Sequence, residues 1–176
     1  LHFCFVGSLS PGKQPEKALE LVHQIRKKGK DAVLHIYGDG EMKNQLKSQI
    51  KNLNAEKWAF IYGNQPKAQI KKALKYSHFL ILLSKSEGWP KAVAEAMFFG
   101  CVPITSKVSC LPWMLDFGNR GILMSEDVMQ NKIDEVLKIL DNPKKLEQMS
   151  TEAHKWSTQY TLDKFDREIA KLIKQT

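Results

Sequence analysis

His78-Phe79-Leu80-Ile81-Leu82-Leu83 is followed by Ser84-Lys85-Ser86-Glu87-Gly88-Trp89, then by Pro90-Lys91-Ala92-Val93-Ala94-Glu95-Ala96-Met97-Phe98-Phe99-Gly100, and then by Cys101-Val102-Pro103-Ile104-Thr105. The first segment has the length and unbroken apolarity of a strand covered on both faces. Pro90 suits the first turn of a helix and Gly100 its end, so the spacing predicts a helix over 90–99. The last segment predicts a second buried strand. Strand, helix and strand in this order form a βαβ unit, whose strands run parallel.

The alternation continues on both sides of this unit. Leu1–Val6 predicts a strand, and Glu16–Lys28 a helix with Ala18, Leu19, Leu21, Val22 and Ile25 on one face. Ala32–Tyr37 is the next strand, followed by a helix carrying Met42, Leu46, Ile50 and Leu53. Trp58–Tyr62 is a third strand, broken at Gly63–Pro66 before a helix over Lys67–Lys75. Gly121–Met124 is a weak sixth strand. From Glu126 onward two or three helices are expected, with breaks near Asn142-Pro143 and Tyr160-Thr161 and a terminal helix over 161–176. The expected fold class is α/β: a single domain over 1–176, a Rossmann-like three-layer α/β/α sandwich with a mostly parallel sheet of about six strands.

The composition agrees. At 176 residues with 43% hydrophobic and 26% charged residues, the chain suits one globular domain. Cys4, Cys101 and Cys110 lack disulfide-framework or metal-site spacing, and their odd number suits a reducing cytoplasm. No apolar run nears the roughly 20 residues of a membrane span. The chain opens at Leu1 directly on a strand and so reads as a piece of a longer protein. The net charge of +8 is unevenly placed: residues 1–125 carry 18 Lys/Arg against 9 Asp/Glu, or +9, and residues 126–176 carry 9 against 10, or −1. Lysines at helical spacing (Lys43, Lys47, Lys51; Lys67, Lys71, Lys75) read first as solvated helix faces. Peripheral contact with the inner face of an anionic membrane is the other reading. With no Arg cluster and no interleaved aromatics, nucleic acid is not an expected partner.

In such sheets ligands bind beyond the carboxyl ends of the strands, which points to loops 7–15, 38–41, 63–66, 84–90 and 105–112. Gly7-Ser8-Leu9-Ser10-Pro11-Gly12-Lys13 matches the start of a P-loop. Gln14 stands where that motif needs Ser or Thr, Pro15 follows, and no strand ends in a Walker B Asp. A P-loop NTPase is therefore a remote alternative. Lys13 still suits phosphate at a helix start. Gly38-x-Gly40 lacks the third glycine of the dinucleotide fingerprint and reads as a plain strand-to-helix turn. Glu87 and Glu95 stand eight residues apart, in a loop and in the following helix, and can face one crevice. Carboxylates accept from vicinal hydroxyls, so two along a groove suit a sugar and a ribose. Trp58, Trp113 and Trp156 read as packing residues, and the five histidines show no metal or triad spacing.

Gly7…Lys13 together with Ser86-Glu87-Gly88-Trp89-Pro90-x4-Glu95-Ala96-Met97-x2-Gly100-x2-Pro103-Ile104 resembles the carboxyl-terminal, donor-binding domain of GT-B retaining glycosyltransferases of family 4, group 1, with their Glu-x7-Glu hallmark. The resemblance runs from Val6 to about Lys174. It implies one half of a GT-B hexosyltransferase that moves a sugar from a nucleoside-diphosphate sugar, with no metal or other cofactor. Glu87, Gly88 and Trp89 would bind the donor sugar. Gly7, Ser8, Lys13, Pro90 and Lys91 would meet the diphosphate, with Lys13 and Glu87 catalytic. Glu95 would hold the ribose, and Tyr62 and Gly63 the base. An acceptor glycan or lipid-linked glycan would bind the missing domain, leaving the isolated domain inactive. Three departures bear on diphosphate affinity. Ser8 replaces the family's usual Arg, Pro90 removes an amide, and Lys91 stands where an apolar residue is usual, in a position to return some charge. A non-catalytic scaffold with a degenerate donor site is the alternative these departures favour.

Overall fold

The structure is a computed structural model and describes residues 1–124 and 129–174. The apolar runs form strands β1 (His2–Val6), β2 (Val33–Tyr37), β3 (Ala59–Gly63), β4 (Phe79–Leu82), β5 (Val102–Ser106) and β6 (Ile122–Met124). Between and after them lie α1 (Pro15–Lys27), α2 (Lys43–Asn52), α3 (Lys67–Tyr76), α4 (Lys91–Phe98), α5 (Leu111–Met114), α6 (Met129–Leu140), α7 (Pro143–Ser157) and α8 (Leu162–Lys174). Every expected strand is present, with ends displaced by a residue or two. The tail divides into three helices at the two expected breaks, and Asn142 Oδ1 caps α7 by accepting from the Lys145 amide at 3.0 Å.

All strand pairs are parallel, in the order β3-β2-β1-β4-β5-β6. From β1 the chain winds outward to β3, crosses back through α3, and winds the other way from β4. The direction therefore reverses between β1 and β4, which opens a crevice at their carboxyl ends. α1 packs against α2, α6, β1 and β2, whereas α3 meets α4, and α4 meets α7, β4 and β5. β4, β5 and β6 are buried at every position, as strands covered on both faces should be, and are apolar there except at Thr105 and Ser106 of β5. β3 is an edge strand, and its exposed positions admit Tyr62. One element goes beyond the sequence expectation. The connection after β5 contains the short α5 and a 3-10 turn at Asp116–Gly118, which bring the loop back over the ends of β4 and β5.

Candidate functional site

The loop after β1 is laid along the loop after β2. The Gly7 amide donates to Tyr37 O and the Leu9 amide to Asp39 O, both at 3.0 Å, and the Met42 amide returns to Leu9 O. A Cβ on Gly38 would lie 1.8 Å from Gly7 O, and one on Gly40 2.5 Å from Leu9 O. These two glycines are needed for loop-on-loop contact, which makes Gly38-x-Gly40 the plain turn that its missing third glycine indicates. The amides of Lys13 and Gln14 both donate to Ser10 O. With those of Gly7 and Leu9 also spent, the loop does not present the row of free N–H groups that a P-loop turns toward a triphosphate.

The same loop is tied to the one after β4, since the Lys85 amide donates to Gly12 O at 2.9 Å. That tie brings Lys13 onto Glu87. Its Nζ lies 2.7 Å from both carboxylate oxygens, with the Glu87 side chain only 5% exposed and that of Lys13 31%. The other flank of the β4 loop is held by the connection after β5. The Glu87 amide donates to Ser109 Oγ at 3.2 Å, the Cys110 thiol to Gly88 O at 3.1 Å, and the Ser106 hydroxyl to Ser84 O at 2.5 Å. Ser106, Ser109 and Cys110 thus shape the site without forming part of the motif. Their only signal in the sequence is their place beyond the end of a strand.

Glu95 stands on the exposed side of α4, one edge of a cavity of about 430 Å³ lined also by Val6, Lys67, Ile70, Lys71, Phe98 and Phe99. Lys67 and Lys71, which the helical spacing assigns to a solvated face, therefore look across this cavity. Pro90 is buried at the entrance to α4 and Lys91 is exposed in its first turn. Ser8 is exposed beside Ser10. Tyr62 and Gly63 are not in the lining of the Glu95 cavity. The Tyr62 ring stacks on Tyr37 at 4.9 Å, its hydroxyl shares a 2.9 Å hydrogen bond with His35 Nδ1, and Gly63 O accepts from the Gly38 amide. Burial pushes the Tyr37 phenol up to about 12, so it stays neutral in any ordinary buffer.

Trp89 does not turn inward. It joins Trp113, Trp156 and Tyr160 in an aromatic ledge beside the β4 loop, with ring centroids 4.5–6.4 Å apart. Trp58 and Trp156 are buried, and Trp113, although 50% exposed, packs edge-on against Trp156 of α7 at 5.4 Å, in keeping with the expected inter-helix packing. The rim formed by α5 carries it outward. Among the described residues no group of three His, Cys, Asp or Glu side chains is placed to hold a metal ion.

A sequence model of the glycosyl transferases group 1 family matches residues 2–156. The chain belongs to that family. This group 1 glycosyltransferase chain is 32% identical over 132 residues to an uncharacterized glycosyltransferase of Methanocaldococcus jannaschii, covering 75% of this chain and 30% of that protein. It is 30% identical over 143 residues to an Escherichia coli UDP-Gal:alpha-D-GlcNAc-diphosphoundecaprenol alpha-1,3-galactosyltransferase, covering 80% of this chain and 36% of the relative. The chain thus spans about a third of the length of these relatives. In fold, the group 1 domain resembles Anabaena HepE in complex with UDP and glucose (TM-score 0.86, 17% identity, 99% of this chain and 48% of that one). It is likewise similar to a mutant Staphylococcus aureus TarM in complex with Fondaparinux, alpha-GlcNAc-glycerol and UDP (TM-score 0.84, 19% identity, 97% and 35%). The architecture is the Rossmann-like domain of GT-B glycosyltransferases.

Proposed function

We propose that this chain is the nucleotide-sugar-binding domain of a retaining hexosyltransferase, and that the acceptor glycan or lipid-linked glycan is bound by the rest of a longer protein. The observation that carries the proposal is the pairing of Lys13 with Glu87 across the β1/β4 crevice, beside a cavity edged by Glu95. Donor binding exchanges one set of partners for another. A diphosphate oxygen takes the Lys13 ammonium, and donor-sugar hydroxyls donate to the Glu87 carboxylate released from it. Each charge keeps a partner throughout, so opening the ion pair leaves neither group bare. As the glycosidic bond breaks, negative charge grows on the leaving diphosphate and Lys13 stabilises it there, with Lys91 at the helix start adding to the field. No metal is needed for this role. Glu95 accepts from the ribose hydroxyls.

Calorimetric titration of the chain with UDP, GDP, ADP and ATP, with and without Mg²⁺, tests the proposal. The expected result is metal-independent binding of a diphosphate that is weakened in Glu95→Ala, with negligible sugar transfer by this chain alone. Mg²⁺-dependent binding of ATP only would restore the P-loop NTPase. Absence of binding would favour the scaffold to which Ser8 and Pro90 point.

A further inference from the structure

We infer that Ser109 is a positioning residue for the donor sugar. Through the Glu87 amide, its hydroxyl sets how much tighter a sugar nucleotide binds than the bare nucleotide. The inference rests on the donor-domain function proposed above and deepens it. The Leu111 amide donates to Val108 O at 3.1 Å, which closes a four-residue turn with Ser109 and Cys110 at its centre. Ser109 has φ 52°, and Cys110 has φ −82° and ψ −4°. A positive φ at the first central residue alone is the pattern of a type II′ turn, where glycine is the usual occupant. A serine there carries a steric cost that glycine avoids. Strain of this kind persists where the surroundings hold it, and it gathers at functional sites.

What glycine could not supply is the side chain. Ser109 Oγ accepts from the Glu87 amide at 3.2 Å, and the adjacent Cys110 thiol donates to Gly88 O at 3.1 Å. Two consecutive residues of the turn thus grip two consecutive residues of the β4 loop, one as acceptor and one as donor. Lys13 holds the same glutamate from the other flank, by its carboxylate. In the exchange of partners proposed above, a diphosphate draws the ammonium away and that tie is given up. The turn still fixes the Glu87–Gly88 backbone, so the carboxylate meets the sugar hydroxyls from a position that Ser109 sets. Diphosphate oxygens accept hydrogen bonds and donate none, so a nucleotide without its sugar has nothing to offer this carboxylate. Loss of the Ser109 hydroxyl therefore weakens the sugar nucleotide and spares the nucleotide.

The experiment is calorimetric titration of the chain, Ser109→Gly and Ser109→Asn with three pairs of probes: UDP and UDP-glucose, GDP and GDP-mannose, ADP and ADP-glucose. Ser109 is exposed, and glycine suits the turn, so Ser109→Gly removes the hydroxyl and keeps the fold. Its affinity for the sugar nucleotide that binds the unsubstituted chain is expected to fall about fivefold, the size of one hydrogen bond. Affinity for the matching nucleotide should not change, and Tm should be unchanged or higher, because glycine relieves the turn. A residue with a merely structural role would not separate the two ligands. Ser109→Asn, which tolerates the same backbone and carries an acceptor oxygen, should restore most of the loss. A second readout needs no ligand. Cys4 and Cys101 are buried, so iodoacetamide reports on Cys110, and Ser109→Gly should speed its alkylation as the β4 loop loosens. No loss, an equal loss for the nucleotide, or an unchanged alkylation rate would overturn the role of Ser109 and leave the donor-domain function standing. Binding of no nucleotide or sugar nucleotide by the unsubstituted chain would overturn both.

Discussion

Gln14 shows what the loop after β1 costs. Its backbone is left-handed at φ 49°, ψ 53°, and its buried side-chain oxygen has no hydrogen-bond partner. A non-glycine residue in that region is disfavoured by roughly 1 kcal/mol, and an orphaned acceptor adds to the penalty. Gln14→Gly is therefore expected to raise stability by about 1 kcal/mol, read as a higher urea midpoint at unchanged m-value. Lys13 is the opposite case. Lys13→Met would leave the Glu87 carboxylate enclosed and unpaired. Loss of one partner of a fully buried pair costs about 3–5 kcal/mol, and solvent at the Lys13 end lowers the expected cost here to about 2 kcal/mol. Adding Glu87→Gln should recover most of that loss while donor binding stays abolished. A double-mutant cycle in urea separates the two effects.

Between elements, the contact of the β1 and β2 loops depends on space that only glycine leaves. Gly38→Ala would drive a Cβ into Gly7 O and is expected to cost about 3 kcal/mol or more, seen as a large fall in Tm. On the α3 side of the sheet, a hydrogen-bonded string runs across strands: Tyr76 Oη to His2 Nε2 at 2.9 Å, His2 Nδ1 to His35 Nε2 at 3.2 Å, and His35 Nδ1 to the Tyr62 hydroxyl. Burial is the largest cause holding His2, His35 and His78 below the ordinary histidine value. Below pH ~6.5 the unfolded chain therefore binds more protons at these positions than the folded one does, and stability falls as pH falls. Tm should drop between pH 7.5 and 5.5, and His35→Gln should flatten that dependence.

For the molecule as a whole, any ligand that bridges the β1 and β4 loops and the Glu95 cavity binds only the folded chain. A nucleoside diphosphate at 100 times its Kd should add about 2.7 kcal/mol to the unfolding free energy, with or without Mg²⁺. Scanning calorimetry would register this as a rise in Tm that Glu95→Ala removes. Among the described residues no helix is long and apolar enough to cross a membrane. Within the basic excess of residues 1–125, Lys13 pairs with Glu87 at the crevice, and Lys67 and Lys71 line the Glu95 cavity.

The order of strands and helices is legible in the amino-acid sequence alone, because apolar period and Pro/Gly punctuation are local properties of the chain. The Glu87–Glu95 motif is legible for the same reason, since a loop and the helix that follows it stay neighbours in any fold. What lies beyond local reach is decided by packing. Lys13 and Glu87 are 74 residues apart, and only the parallel pairing of β1 with β4 brings them to 2.7 Å. Ser109 and Cys110 reach the β4 loop because α5 and the 3-10 turn fold the β5 connection back over it. Lys67 and Lys71 have the spacing of any solvated helical pair, and the close approach of α3 to α4 turns them toward a cavity. Trp113 has the composition of a core residue and half the exposure of a free one. Helical and strand periods record which residues share a face, but what that face meets depends on contacts between segments far apart in the chain.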